Sequence, residues 1–251
     1  MWYGVVGHTG LIDQDGDRNE ANLVMGGANN DRGTIIQEGN DNFADVDQMR
    51  GASGTSNPAI VEVGQYGNLN VVVMDQHSST WTEAYLTQDG DHNELDLRQR
   101  QADYANIEQL GNNNNIWLDQ HSSAIGGTRG NPEPFVQDGD GNSLMGVIND
   151  DGLVFDPLSA AWQRSSILAA DSGQLGDDNI IGLYQNEGWA EIIQDGDENE
   201  ALLYQNGTGL SSTIHQFGNE NTGHVKQTGP DHLGDISQTG GENQAFIMQS
   251  Q

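Results

Sequence analysis

The groups in this chain that could do chemistry are 38 Asp and Glu carboxylates, seven histidines and a dense population of Gln and Asn amides. There is no cysteine, so there is no thiolate nucleophile, thiolate metal site or disulfide framework. The tripeptide Asp-Gly-Asp follows Gln14, Gln88, Gln137 and Gln194, and stacked carboxylates of that kind are the hard oxygen ligands that suit calcium. However, the position three residues after each of these glutamines and their equivalents reads Asp17, Asn40, Asn68, Asp91, Asn112, Asp140, Asp177, Asp197, Asn219. Acids spaced by amides fit a solvated arc that relieves like-charge repulsion better than a metal cage. The Gly-Gly-x-Gly-x-Asp nonapeptide of calcium-binding β-rolls is absent. His77 and His121 each open a His-Ser-Ser, which reads as a repeated turn rather than a metal pair. Among so many carboxylates some pair always falls at a glycosidase-like separation, so a pair proves nothing. No catalytic, metal or cofactor site is assigned.

The amides are different, because their spacing is strict. Gln-x-Gly-x-x-Asn occurs ten times, as Gln14/Asn19, Gln37/Asn42, Gln65/Asn70, Gln88/Asn93, Gln109/Asn114, Gln137/Asn142, Gln174/Asn179, Gln194/Asn199, Gln216/Asn221 and Gln238/Asn243. In eight units a second Gln follows six residues after the Asn: Gln48, Gln76, Gln99, Gln120, Gln185, Gln205, Gln227 and Gln249. Met25 and Ile148 stand there in the other two. The glycines are Gly16, Gly39, Gly67, Gly90, Gly111, Gly139, Gly176, Gly196, Gly218 and Gly240, and Gly229 belongs to a degenerate copy, Gln227-Thr-Gly-Pro-Asp-His232.

Such a period calls for elements that stack. Residues two and four after each Asn are mostly apolar (Val72 and Met74, Leu95 and Leu97, Ile116 and Leu118), and the positions between them are mixed. Two residues before the first Gln stand Ile12, Ile35, Val63, Leu86, Ile107, Phe135, Ile192, Ile214 and Ile236, with Ser172 the exception. Alternation of period two is the strand signal, and it places Gln, Asn and the apolar residues on one face. A rung therefore reads strand, tight arc, strand, second arc. Gly supplies the backbone angles of the tight arc, and Asn is expected to take the left-handed conformation at its end. A lone buried amide is costly. Amides stacked about 4.8 Å apart are expected to donate to the copy above and accept from the copy below, so that only the end rungs bear the cost.

These signals predict an all-β fold: a β-solenoid of about ten strand-arc-strand rungs forming two facing parallel sheets, amyloid-like, as one domain over residues 1–251. Rungs are expected to start near residues 10, 33, 61, 84, 105, 133, 170, 190, 212 and 234. The extra length falls in insertions 49–61, 121–134 and 149–171, which should project from one edge. They hold Pro58, Pro132, Pro134 and Pro157, and proline cannot donate to a ladder. Ten rungs would rise about 48 Å.

Composition narrows the partners. Eight Lys and Arg against 38 acids give a net charge of -30, which repels nucleic acid and anionic membrane surfaces. No run of about 18 apolar residues is present to span a bilayer. Met1-Trp-Tyr-Gly-Val-Val-Gly lacks the basic and apolar regions of a signal peptide, so any export signal is expected to be missing from this sequence. Trp117, Tyr184, Tyr204 and Phe246 fall at outward parity, either as lateral contacts or as good strand formers.

The repeat resembles that of the curlins, the subunits of curli amyloid fibres, over roughly residues 10–249. Gln194-Asp-Gly-Asp-Glu-Asn199-Glu-Ala-Leu-Leu-Tyr-Gln205 and Gln216-Phe-Gly-Asn-Glu-Asn221-Thr-Gly-His-Val-Lys-Gln227 carry the likeness most closely. The resemblance implies an extracellular, cell-surface fibre in a biofilm matrix, built end to end from copies of the same chain. By the same resemblance the partners are the chain itself, a nucleator subunit and an outer-membrane secretion pore through which it passes unfolded. The expected activity is self-assembly, with no reaction and no cofactor. The first rung (around Leu11–Met25) would meet the last (Gln238–Gln249) of the next molecule. The alternatives are an extracellular β-helix that degrades polysaccharide and an ice- or calcium-binding solenoid adhesin. Eight dispersed cations make no cleft for acidic sugars, and Thr-x-Thr arrays are missing.

Overall fold

The structure, a computed structural model, describes residues 7–26, 31–50, 60–78, 83–99, 104–120, 124–125, 134–149, 154–156, 161–163, 166–168, 172–186 and 188–251. No helix occurs among them, and two stacked parallel sheets form a β-solenoid. Each repeat places the strand that ends at its first Gln in one sheet (sheet 1) and the strand that follows its Asn in the other (sheet 2). The first rung is Thr9–Asp15 with Glu20–Gly26, and the last is Leu233–Thr239 with Gln244–Ser250. Sheet 2 holds ten strands in unbroken chain order, one per repeat.

The period-two pattern sets the register. Gln14 lies opposite Gln37, and Gln194 opposite Gln216. In sheet 2, Gln205 lies opposite Gln227, and Gln227 opposite Gln249. A one-residue slip would turn every apolar residue outward, so the buried face fixes the pairing. Inside, Ile35, Val63, Leu86, Ile107 and Phe135 of sheet 1 face pairs such as Val72/Met74 and Leu95/Leu97 of sheet 2, all essentially buried in one cluster. Small residues match large ones. A Cβ on Gly33 would fall 2.8 Å from Leu23 and 3.1 Å from Met25 Sδ. That space explains how Met25 replaces an amide in the first rung.

Length variation enters differently from expectation. Ala124 and Ile125 pair with Tyr104 and Ala105, and the strand resumes at Phe135, opposite Ile107. Residues 126–134 separate Ile125 from Phe135 in the chain, whereas the single residue Asn106 separates their partners. In the seventh rung Ser166–Leu168 pairs with Gly188–Ala190, and Gly173–Leu175 with Ile193–Asp195. Residues 169–172 separate Leu168 from Gly173 in the chain, whereas Glu191 and Ile192 separate their partners. Ala124–Ile125 thus adds to sheet 1 ahead of the sixth Gln strand, and Ser166–Leu168 ahead of the seventh. Ser172, which breaks the apolar pattern, has its reason here: its buried Oγ accepts the Ile192 N–H at 3.0 Å beside the interruption. Val154–Asp156 and Ala161–Gln163 form a separate antiparallel pair. Residues 51–59, most of the first insertion, lie outside the described residues.

Candidate functional site

The first-Gln position forms a continuous buried ladder. Each Nε2 donates to the next rung's Oε1, from Gln14 to Gln37, Gln65, Gln88, Gln109, Gln137, Gln174, Gln194, Gln216 and Gln238, at 2.6–3.0 Å. The second N–H of the amide crosses the core to sheet 2 of the preceding rung, as in Gln37 to Glu20 O and Gln238 to Thr222 O, both 3.0 Å. Every amide in the run therefore ties its neighbours both along the stack and across it. The ladder has a direction, with the carbonyl end at Gln14 and the donor end at Gln238.

The second-Gln position repeats this at the C-terminal end, from Gln205 to Gln227 at 3.0 Å and Gln227 to Gln249 at 2.8 Å. Ser212 Oγ joins it, accepting from Gln205 and donating to Gln227 Oε1 at 2.9 Å each. Gln185 is buried and donates to Gly188 O, and Gln48 is buried opposite Gln76 in the pairing. The side chains of Gln76, Gln99 and Gln120 lie outside the described residues, although their backbones pair in register.

The Asn position works differently from the simple side-chain ladder expected. From Asn19 to Asn179, Nδ2 donates to the carbonyl of the next rung's arc glycine: Asn19 to Gly39, Asn42 to Gly67, Asn70 to Gly90, Asn93 to Gly111, Asn114 to Gly139, Asn142 to Gly176 and Asn179 to Gly196, at 2.7–2.8 Å. Oδ1 accepts the backbone N–H of the next Asn, as Asn19 does from Asn42 at 3.0 Å. A side chain this short, at the mouth of a tight arc, meets the arc's backbone before it meets its own copy. Direct Asn-to-Asn bonds appear only from Asn199, Asn221 and Asn243, each to the Asn of the rung before.

The arc corrects one further expectation. The left-handed residue is the one before the Asn: Arg18, Asp41, Leu69, His92, Asn113, Asp178, Glu198, Glu220 and Glu242 have φ of 55–60°. Non-glycine residues in that region are held by their surroundings. Here the holding bonds run between arcs, such as Asp41 N to Asp17 O at 2.9 Å. The preceding position is solvent-accessible, as expected of a solvated arc, and its Oδ1 also accepts the backbone N–H of the same position one rung earlier, from Asp17 to Asn40 Oδ1 through to Asp197 to Asn219 Oδ1 at 2.7–3.1 Å. Asp and Asn share this acceptor oxygen, which is why they interchange there. Among the described residues no group of three His, Asp or Glu side chains is placed to hold a metal ion.

Glycine is mandatory in the arc for a steric reason. A Cβ on Gly39 would sit 1.9 Å from the carbonyl oxygen of Gly67, and the arc glycines from Gly16 to Gly218 give 1.8–2.4 Å. At Gly240, in the last rung, the nearest atom is Asn243 Nδ2 at 3.6 Å. Gly229, in the degenerate copy on the other edge, has 3.5 Å to Gln251.

The ends carry an ion pair and exposed apolar residues, which also occur along the stack at Leu69, Met145 and Ile180. Arg18 forms a bidentate pair with Asp41, and that hydrogen bond holds the Asp41 carboxyl below the usual carboxylate range. Leu11 (52% exposed) lies in the first rung, and Phe246 (64%) and Met248 (78%) in the last. Of the outward aromatics, Tyr184 stacks on Tyr204 with centroids 4.8 Å apart, and Trp117 and Tyr204 are exposed.

The curlin associated repeat family model matches residues 9–49, 190–218 and 196–229. No curated protein matches the chain. The matched segments are the first two rungs and those running from the eighth into the ninth, whose Gln ladders and glycine arcs are described above. Over those segments the chain carries the curlin associated repeat.

Proposed function

We propose that this chain is the structural subunit of an extracellular curli-like amyloid fibre, assembling end to end by strand addition. The observation that carries the reading is the directional ladder left open at its two ends, where Gln14 accepts from no earlier rung and Gln238 donates to no later one. Its interior is one hydrogen-bonded lattice in which every rung both receives and gives. Gln14 presents a carbonyl end and Gln238 a donor end, so the last rung of one copy is the chemical complement of the first rung of another. Head-to-head joining would set donor against donor.

The outermost rungs are open edges of two parallel sheets, normally an aggregation liability. Here a shared period turns that liability into a register. Superposing the last rung on the first places Gln238 at Gln14, Asn243 at Asn19, Ile236 at Ile12 and Ile247 at Leu23. Strand pairs add backbone hydrogen bonds, and the apolar residues exposed at each end become internal. The reading places the subunit outside the cell as matrix or adhesion material, with self-assembly as its activity and no reaction.

The test is electron microscopy and fibre diffraction on purified protein. Unbranched fibres with a meridional spacing of about 4.8 Å are expected. A monomer that stays soluble for days at high concentration would contradict the reading.

A further inference from the structure

The joint repeats a charge pattern also found in sheet 2, where Arg98 lies in register between Asp75 and Asp119. Within the stack, like charges lie on adjacent rungs: Asp15 pairs with Glu38, and Asp47 with Asp75. In the arc, Asp178, Glu198, Glu220 and Glu242 follow one another on successive rungs at the left-handed position. The first-rung residue of that same column is Arg18, the column's one guanidinium. Continuing the interior register across the ends sets Glu242 against Arg18, Thr239 against Asp15, Gly241 against Asp17, Gln244 against Glu20 and Ser237 against Asp13. No carboxylate meets a carboxylate at the joint.

We infer that Arg18 and Glu242 form an intermolecular ion pair that keys the end-to-end joint, Arg18 of one copy lying between its own Asp41 and Glu242 of the preceding copy. This rests on the end-to-end reading above and adds the residues that select the partner end. The backbone geometry of the arcs supports it. Arc N–H groups donate to the preceding rung's carbonyls (Gly39 to Asp15 O, 2.9 Å; Asp41 to Asp17 O, 2.9 Å), which fixes consecutive left-handed residues one above the other. At the joint the same geometry gives the Gly241 N–H to Asp17 Oδ1 and the Asn19 N–H to Asn243 Oδ1. Glu242 ends a run of four carboxylates, and a guanidinium is the group whose fork can face carboxylates on both sides. Joining two C-terminal ends would instead bring two such runs together. The pair therefore favours one order of ends over the others.

The test uses the full chain, sonicated fibres as seeds and the variants Arg18→Glu, Glu242→Arg and their combination. Each single reversal is expected to slow seeded elongation about three- to tenfold, the range for an exposed pair turned from attraction to repulsion. The double variant, and Arg18→Glu monomer supplied to Glu242→Arg seeds, should recover to within about twofold of wild type. Glu220→Arg, an interior change in the same column with the same change in net charge, should not slow elongation. Wild-type fibres with unaffected single variants would overturn the ion pair and leave end-to-end assembly standing. So would slowing without rescue, or equal slowing by Glu220→Arg. A wild-type chain that forms no fibres would overturn the assembly reading itself.

Discussion

At the scale of single residues, the buried amides of the first-Gln and Asn positions are affordable because the stack uses them, and the two kinds are used differently. Gln109 accepts from Gln88 at 2.8 Å and donates to Gln137 at 2.9 Å and to Glu94 O at 3.2 Å. Asn114 serves backbone groups: it takes the Asn142 N–H at 3.0 Å and donates to Gly139 O at 2.8 Å and Leu110 O at 3.3 Å. Gln109→Leu should cost about 1–3 kcal/mol, the range for stranding a buried partner, since Gln88 keeps its bond to Val71 O. Asn114→Leu should cost more, because it strands backbone groups that hold the arc. Urea denaturation of both variants checks the order, and a loss no greater than for the outward Thr87→Ala would contradict it. The sequence made the inward parity of these residues legible, because period two is independent of what lies above and below. It did not reveal which atoms Asn114 meets, nor that Asp140 and its equivalents accept backbone N–H groups. Apart from the local Asn114 bond to Leu110 O, those bonds run between residues 20–37 positions apart and leave no local signature beyond a tolerance for Asp or Asn. The left-handed position was missed for a related reason: bonds between arcs, not side-chain preference, hold residues such as Leu69 there.

At the scale of elements, the rung is a fixed arc joined to strands that tolerate interruption. Counting from Gln to Gln located the extra length, but it could not show that the strand restarts inside it. Ala124–Ile125 is too short to display a period, and Ser166–Leu168 is little longer. Residues 126–134 lie in the chain between Ile125, paired with Ala105, and Phe135, paired with Ile107, whereas one residue, Asn106, lies between those partners. Replacing those nine residues by a single Asn should keep the solenoid and raise its melting temperature by a few degrees, since a loop closure is removed. Thermal unfolding followed by far-ultraviolet circular dichroism checks this. A lower melting temperature would show that the inserted segment contributes to the stack. Ser172 is the element-scale counterpart, a polar residue at an apolar position because a broken strand leaves an N–H to satisfy.

At the scale of the whole molecule, two demands oppose each other: an open edge must join another copy, and a net charge of -30 repels that copy. Raising ionic strength from about 0.01 M to about 0.15 M shortens the screening length from about 30 Å to about 8 Å. Wild-type seeded elongation should accelerate over that range, and slowing would mean that attraction between unlike patches dominates the encounter. The central claim is that the last arc receives the first arc of the next copy as each interior arc receives its neighbour. In the interior, the place of a glycine Cβ is taken by the following glycine's carbonyl oxygen, but a Cβ on Gly240 meets nothing closer than 3.6 Å within its own chain. Gly229 carries a similar φ, +102° against +106°, with comparable room, so Gly229→Ala matches the backbone strain of Gly240→Ala without touching the joint. The most direct measurement is seeded elongation of these two variants side by side. If the arcs stack across the joint, Gly240→Ala folds like Gly229→Ala but elongates more than tenfold more slowly. Equal elongation rates for the two would contradict the account.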